Sequence, residues 1–133
     1  MNKLLKLILL TFLVLFLSWW LVLSPVSFLD KESSYYAYSS DKNWKLFISP
    51  LAMTTPLSFI QALEGKRYIV LFDKNGKYIG QSSPFCFMWL DGYDVIFPEG
   101  KNDSLLFMPE NCDYDIPVNE KKWWSKIIGF IFY

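Results

Sequence analysis

The longest run of apolar positions in the chain is Leu7–Leu23, which carries no charge and is interrupted only by Thr11 and Ser18. A helix rises about 1.5 Å per residue, so about 20 apolar residues cross the roughly 30 Å hydrocarbon core of a bilayer. A core helix of a soluble protein normally has a polar stripe, which this run lacks. The pattern therefore predicts a membrane-spanning helix.

The same run has a second interpretation, as a cleaved signal peptide. A signal peptide has an apolar region of about 7–15 residues, followed by small residues at its cleavage site. This run is longer, and its best cleavage site, after Ser24, is followed at once by Pro25, which we expect to block cleavage. We therefore favour a retained anchor whose helix ends at Pro25.

The flanking charges predict the orientation of this anchor. Lys3 and Lys6 precede it, whereas the mixed residues 30–32 follow it. Positive residues stay in the cytoplasm, so we expect a single-pass protein of the bacterial inner membrane, with a cytoplasmic N-terminus and a periplasmic C-terminal domain. An indole can bury its ring and keep its N–H hydrated at a membrane interface. Four residues are assigned to that interface: Trp19, Trp20, Trp123 and Trp124.

Beyond the anchor, apolar and polar positions alternate in short runs that predict β-strands. The strands are expected at Trp44–Ile48, Tyr68–Asp73, Lys77–Ser82, Phe85–Leu90, Tyr93–Phe97 and Ser104–Met108, and Tyr35–Tyr38 has the composition of a further one. Short loops join antiparallel neighbours. The predicted fold is mainly β, an antiparallel meander of about six strands with one N-terminal transmembrane helix.

Two dipeptides predict tight hairpins. Asn75-Gly76 and Asp91-Gly92 each separate two predicted strands, and both are typical of type I′ turns, which require positive φ at two successive residues. A two-residue turn at Asn75-Gly76 places Phe72 opposite Ile79.

Two further segments have helical signals. Pro56–Glu64 begins with proline, is followed by Gly65, and has apolar residues three apart at 57, 60 and 63. Residues 119–133 predict either an amphipathic helix with a basic and an aromatic face or a final strand. As a helix, this segment would lie in the membrane interface or pack on the β domain, and the sequence favours neither.

These patterns divide the chain into four parts. Residues 1–24 are the cytoplasmic tip and transmembrane signal anchor, and residues 25–43 are a tether. Residues 44–118 form the periplasmic β domain, and residues 119–133 form the C-terminal helix or strand. The two cysteines, Cys86 and Cys112, both lie in the periplasmic part, where oxidising conditions favour a disulfide over two buried thiols.

The chain has no histidine, which removes the commonest general base and the commonest metal ligand. The cysteines lack the CxxC spacing of zinc and redox sites, and no glycine-rich phosphate loop occurs. We therefore predict no catalytic residue, no metal and no cofactor, and expect that the protein is not an enzyme.

Net charge is zero, but between residues 91 and 115 seven carboxylates stand against one lysine, Lys101. An acidic surface repels phosphate, so we do not expect a nucleic acid partner. Four residues on two turns are predicted to form part of a surface for a basic protein partner: Asp91, Asp94, Glu99 and Asp103.

This layout of an uncleaved anchor, one small external β domain, no catalytic set and an acidic rim resembles small membrane-anchored immunity proteins encoded beside bacterial secreted toxins of the type VI kind. The resemblance covers the general plan of the chain and carries over no functional residue. It implies a protein that binds a toxin in the periplasm and blocks its active site. The alternative is a scaffold subunit of a cell-envelope complex, which would assemble through its anchor and C-terminal helix.

Overall fold

A computed structural model describes residues 2–27, 32–83, 94–99, 101, 103–108 and 115–133. The protein is mainly β, with an apolar N-terminal helix, two antiparallel sheets and a C-terminal helix, as the sequence predicts. Its helical elements are α1 (Lys3–Ser18), a π-helical turn (Trp19–Leu23), α2 (Ser24–Ser27), α3 (Pro56–Leu63) and α4 (Trp123–Phe132). Its strands are β1 (Tyr35–Tyr38), β2 (Trp44–Pro50), β3 (Arg67–Asp73), β4 (Tyr78–Gln81), β5 (Asp94–Ile96), β6 (Ser104–Met108) and β7 (Ile116–Pro117).

The N-terminal helix is continuous over Lys3–Val26, and it is long and apolar enough to cross a membrane. The prediction that Pro25 ends it is wrong, because α2 continues to Ser27. A proline in a helix lacks an N–H and presses on the carbonyl group four residues earlier, which here belongs to Leu21. The π-helical turn contains that residue, and its wider hydrogen-bonding pattern accommodates the proline.

The C-terminal end of this helix is packed into the β domain. Val26 is only 5% exposed and packs in a cluster with Leu51 and Tyr68. The backbone N–H of Ala52 donates a hydrogen bond to the carbonyl oxygen of Pro25 at 3.0 Å. The segment predicted as a tether, residues 25–43, therefore begins with buried residues, and it also contains β1, which pairs with β2 along its length.

The main core lies between the two sheets. Strands β1 to β4 form one sheet in sequence order, and β5, β6 and β7 form the other. Leu46 and Ile48 of β2 pack with Ile69 and Leu71 of β3 against Leu105 and the other apolar residues of the smaller sheet. Trp44 shares this face of β2 and packs against the same core. On the opposite face of the larger sheet, Val26 from the end of the N-terminal helix and Ala62 of α3 pack in a second cluster with Tyr68 and Val70.

The first predicted hairpin forms, but its turn and register differ from the prediction. Of the two turn residues, Asn75 and Gly76, only Gly76 has a positive φ, at 81°. The N–H of Gly76 donates a hydrogen bond to the carbonyl oxygen of Asp73 at 3.0 Å. The turn is therefore type I followed by a left-handed glycine, which adds one residue to the loop. As a result Phe72 pairs with Tyr78 instead of Ile79. A bulge in β4 then restores the register that a two-residue turn would give, so that Val70 pairs with Gln81. The predicted strand Phe85–Leu90 and the Asp91-Gly92 turn lie outside the described residues.

The C-terminal segment is a helix, and one face of α4 packs on β4. Trp124 is buried, and its indole Nε1 donates a hydrogen bond to the carbonyl oxygen of Gln81 at 3.2 Å. The hydroxyl of Ser125 accepts a hydrogen bond from the N–H of Gln81 at 3.1 Å. The opposite face of α4 is exposed, with Trp123 and Phe130 outermost.

Candidate partner-binding site

An acidic groove of about 430 Å³ opens at the end of the larger sheet where β2 begins and β3 ends. Three carboxylates line it, from Asp41, Asp73 and Glu99, together with one lysine, Lys74. The remaining lining residues are Asn43, Trp44, Asn75 and Pro98. The lining thus has an excess of two negative charges.

The loop after β5 is fixed to the larger sheet at this groove. The indole Nε1 of Trp44 donates a hydrogen bond to the carbonyl oxygen of Pro98 at 2.8 Å. The hydroxyl of Ser40 donates to Oε1 of Glu99 at 3.4 Å. Because a partly buried indole holds the loop, the Glu99 carboxylate is kept beside the two aspartates although its own side chain is exposed.

Asp41 organises the turn between β1 and β2. Its Oδ1 accepts hydrogen bonds from the Ser39 hydroxyl at 2.6 Å and from the Asn43 N–H at 3.1 Å, and its Oδ2 accepts one from Asn43 Nδ2 at 2.9 Å. The Ser39 bond, followed by the others, lowers the pKa of the Asp41 carboxyl below its usual value. The carboxylate is therefore ionised at neutral pH.

Asp73 organises the neighbouring hairpin in the same way. Its Oδ1 accepts hydrogen bonds from the N–H groups of Asn75 at 2.8 Å and Lys77 at 2.9 Å. Both aspartates thus belong to Asx turns, which Asp favours because its side chain mimics a backbone carbonyl. Each carboxylate fixes its own loop and also contributes negative charge to the groove.

Of the three described acidic residues that were predicted for a partner, only Glu99 lines this groove. Asp103 is exposed after the same loop, and its carbonyl oxygen accepts a hydrogen bond from the Val118 N–H at 2.9 Å. Asp94 pairs with Met108 at the other end of the β5–β6 hairpin. Asp91 lies outside the described residues. Asp94 and Glu99 are separated because they lie at opposite ends of β5.

The sequence reasoning missed Asp41 and Asp73. The signal that identifies them is a repeated tripeptide, Asp-Lys-Asn, at residues 41–43 and 73–75. In both copies the aspartate accepts a hydrogen bond from the N–H of the asparagine. Each copy adjoins β2 or β3, so the antiparallel pairing of Trp44 with Asp73 brings the two loops together.

The four tryptophans assigned to the membrane interface have different surroundings. Trp20 donates its indole N–H to the carbonyl oxygen of Thr54 at 2.9 Å. Trp19 and Trp123 are both exposed, and with the buried Trp124 they line an apolar cleft of about 360 Å³ between the N-terminal helix and α4. The two cysteines predicted to form a disulfide, Cys86 and Cys112, lie outside the described residues.

A second groove, of about 590 Å³, lies on the far side of the β3–β4 hairpin and is basic. Its lining includes Lys77, Lys121 and Lys126, and the ammonium group of Lys121 lies 5.3 Å from the ring centroid of Tyr78. Among the described residues, no Asp or Glu side chain lines it. The surface of the domain therefore has two grooves of opposite sign.

The protein thus combines an apolar N-terminal helix with a small two-sheet domain that carries an acidic groove. The chain belongs to DUF6201, a family of unknown function, whose model matches residues 3–128. No curated protein and no solved structure matches the chain.

Proposed function

We propose that this protein is held in the bacterial inner membrane by its N-terminal helix and faces the periplasm, where it neutralises a basic secreted toxin by occluding it. The observation that carries this proposal is the acidic groove, at the end of the β domain farthest from the helix. The groove thus presents its negative charge to a partner that approaches from the aqueous side.

The distance between groove and anchor follows from β2. This strand begins at Trp44 in the groove and ends at Pro50, next to the Leu51 that packs on Val26. Seven strand residues cover about 20 Å. The groove therefore lies about 20 Å along the sheet from the end of the anchor, and we propose that it is open to a protein in solution.

The charge of the groove favours a basic protein. Complementary charges speed the encounter of two proteins and fix their relative orientation, and they reject partners of the same sign. Nucleic acid would be repelled by the same carboxylates. The Asx turns at Asp41 and Asp73 hold these charges in place before binding, which lowers the ordering cost of the complex.

The orientation of the anchor is supported by its flanks. Lys3 and Lys6 precede the apolar run, and positive residues stay on the cytoplasmic side. The β domain, with Cys86 and Cys112, is then exported to a compartment that permits a disulfide.

A scaffold subunit of an envelope complex is the second candidate. The apolar cleft between Trp19 and Trp123 favours it, because another membrane helix could pack there. The two functions respond differently to a scrambled anchor. Permuting residues 7–17 among themselves leaves Trp20 to Val26 intact; an immunity protein keeps its function, whereas a scaffold loses it.

The direct test is affinity purification of the tagged full-length chain in mild detergent. The full chain is needed because Val26 belongs to the core of the domain. Recovery of one basic enzyme from the secreted fraction, inhibited on mixing, supports the immunity function. Recovery of inner-membrane proteins alone favours the scaffold.

The groove is tested in the same purification. Glu99→Lys removes its least constrained carboxylate and should weaken capture, most strongly at low salt. Glu120→Lys, an equal charge change at an exposed residue outside the groove lining, is the matched control. Equal capture by both variants would place the binding surface elsewhere.

A further inference from the structure

The short helix α3 is amphipathic in the reverse sense, because it buries polar side chains and exposes apolar ones. Ser58 is 1% exposed and Gln61 is 8% exposed. By contrast, the outward side chains are large and apolar, with Leu57 63%, Phe59 48%, Ile60 53% and Leu63 66% exposed. No charged residue occurs within α3. Such a face on a domain surface indicates contact with an apolar phase or partner.

The inward Ser58 belongs to a hydrogen-bonded structure at the start of α3. Thr55 and Ser58 form a capping box, in which the Thr55 hydroxyl accepts a hydrogen bond from the Ser58 N–H at 3.0 Å. The Ser58 hydroxyl in turn accepts one from the Thr55 N–H at 2.9 Å. This box fixes the start of α3, and so determines which face of the helix points outward.

The start of α3 is bonded directly to the N-terminal helix. The carbonyl oxygen of Thr54 accepts the Trp20 indole N–H at 2.9 Å, and the hydroxyls of Thr54 and Ser24 lie 2.6 Å apart. Trp20 precedes the outer end of the apolar run, at Leu23, by three residues, or about 4.5 Å of helix. Thr54 is therefore held at the level where the apolar run leaves the bilayer on its outer face, and α3 begins two residues later.

We infer that α3 lies in the outer interface of the bilayer, with Leu57, Phe59, Ile60 and Leu63 inserted at the boundary between headgroups and acyl chains. Interfacial helices bury an apolar face to a depth of about 5–10 Å. The exposed Met53 precedes the helix. Glu64, Lys66 and Arg67 follow it, and their excess of one positive charge suits anionic lipid headgroups. The occupant of this face is thus lipid, and α3 is a second membrane attachment of the domain.

This inference rests on the proposed anchoring of the N-terminal helix and adds a contact that the anchor alone does not require. It is tested on the full-length chain in vesicles of phosphatidylethanolamine and phosphatidylglycerol. A polarity-sensitive NBD label is attached at Ile60→Cys, and in a separate protein at Lys74→Cys in the acidic groove. Label on the unsubstituted chain gives the background from Cys86 and Cys112.

The residue-60 label should emit at shorter wavelength than the residue-74 label and lose intensity with nitroxide lipids labelled near the headgroup. The residue-74 label should show no such loss. A residue-60 label that the nitroxide lipids do not quench would overturn the inference. This holds if its emission is typical of an aqueous environment, and also if a second protein shifts the emission to shorter wavelength. Carbonate extraction separates the proposed anchoring by the N-terminal helix from the inferred insertion of α3. A chain that stays with the vesicles supports the anchoring whatever the labels show, whereas a chain that is released overturns both.

A variant without added cysteine provides a second measurement. Ile60→Glu with Leu63→Glu replaces exposed apolar side chains, so folding should be retained, but insertion of the helix should be lost. Hydrogen exchange of the α3 amides should be slower in vesicles than in detergent for the natural chain and equal in both for this variant. Ile96→Glu, an exposed apolar residue of β5, is the matched control and should keep the difference.

Discussion

The ring of Tyr78 stacks on the ring of Tyr133, with centroids 4.5 Å apart and planes only 9° apart. On another side the same ring lies against Gly129, where an added Cβ would come within 2.7 Å of Tyr78 Cε1. Tyr78 is therefore held between Gly129 of α4 and Tyr133, which directly follows the helix, and these contacts determine how closely α4 approaches β4.

Gly129→Ala should destabilise the domain. In an exposed helix position, alanine gains about 1 kcal/mol over glycine. Here the new methyl group must displace a buried aromatic ring, and overpacking of this kind costs about 1–3 kcal/mol. Urea unfolding in detergent measures the net loss. A gain in stability would show that α4 can move away from Tyr78 without cost.

Thr55→Ala should fray α3. The Thr55 hydroxyl accepts the hydrogen bond of the Ser58 N–H, and loss of such a cap costs about 1 kcal/mol. Faster hydrogen exchange at the first turn of α3 is the expected result. Thr55→Ser retains the hydroxyl and should restore slow exchange; if it does not, the methyl group of Thr55 matters more than its cap.

Trp20→Phe should loosen the junction between the anchor and the domain. Phenylalanine keeps an aromatic ring but cannot donate to the Thr54 carbonyl, which leaves a partly buried acceptor without that bond. We expect a loss of about 1 kcal/mol in unfolding free energy and greater mobility of residues 52–55 in NMR relaxation. Trp19→Phe, which preserves the Thr54 bond, should leave those residues unchanged.

On a rise in pH, this domain should unfold at a lower alkaline pH than a comparable domain whose tyrosines are all exposed. Burial raises the pKa of the Tyr68 hydroxyl well above its ordinary value of 10.0, and burial also raises the pKa of Tyr78. The folded state therefore retains protons that the unfolded state releases. Stability is fully present below about pH 10 and falls as pH rises beyond it.

Tyr68→Phe tests this pH dependence. The variant loses the 2.6 Å hydrogen bond to Gln81 Oε1, so it should be less stable at neutral pH. Its stability should nevertheless fall less steeply above about pH 10, because one buried ionisable group is gone. Tyr38→Phe, at an exposed tyrosine of β1, should keep the slope of the natural chain; equal slopes in all three proteins would contradict the role of Tyr68.

The elements of this fold could be predicted from the sequence where one local rule decides them. The apolar run, the alternation along β2 and the proline and glycine that bound α3 each act within a few residues. The hairpin at Gly76 shows the limit of such rules. Asn-Gly favours a type I′ turn, but the Asp73 carboxylate bonds to two N–H groups and stabilises a longer loop instead.

The candidate site was harder to predict because it depends on pairing between distant segments. Glu99 could be identified from its acidic neighbourhood, but its partners Asp41 and Asp73 come from loops 32 residues apart in sequence. Only the register of β2 with β3 brings those loops together. Spacing likewise predicted α3, whereas the outward direction of its apolar residues follows from the capping box and from the bond to Trp20.

The burial of Val26 in the core determines where a partner can meet the groove. A domain on a flexible linker would sample a hemisphere, and its local concentration would fall as the linker lengthened. Here the domain moves with its helix, so the proposed membrane anchoring would keep the acidic groove in a thin layer parallel to the bilayer. The proposed basic partner, once adsorbed to an anionic lipid surface, would diffuse in two dimensions through that same layer. Capture then depends on the number of these proteins per unit area of membrane and not on the volume of the compartment.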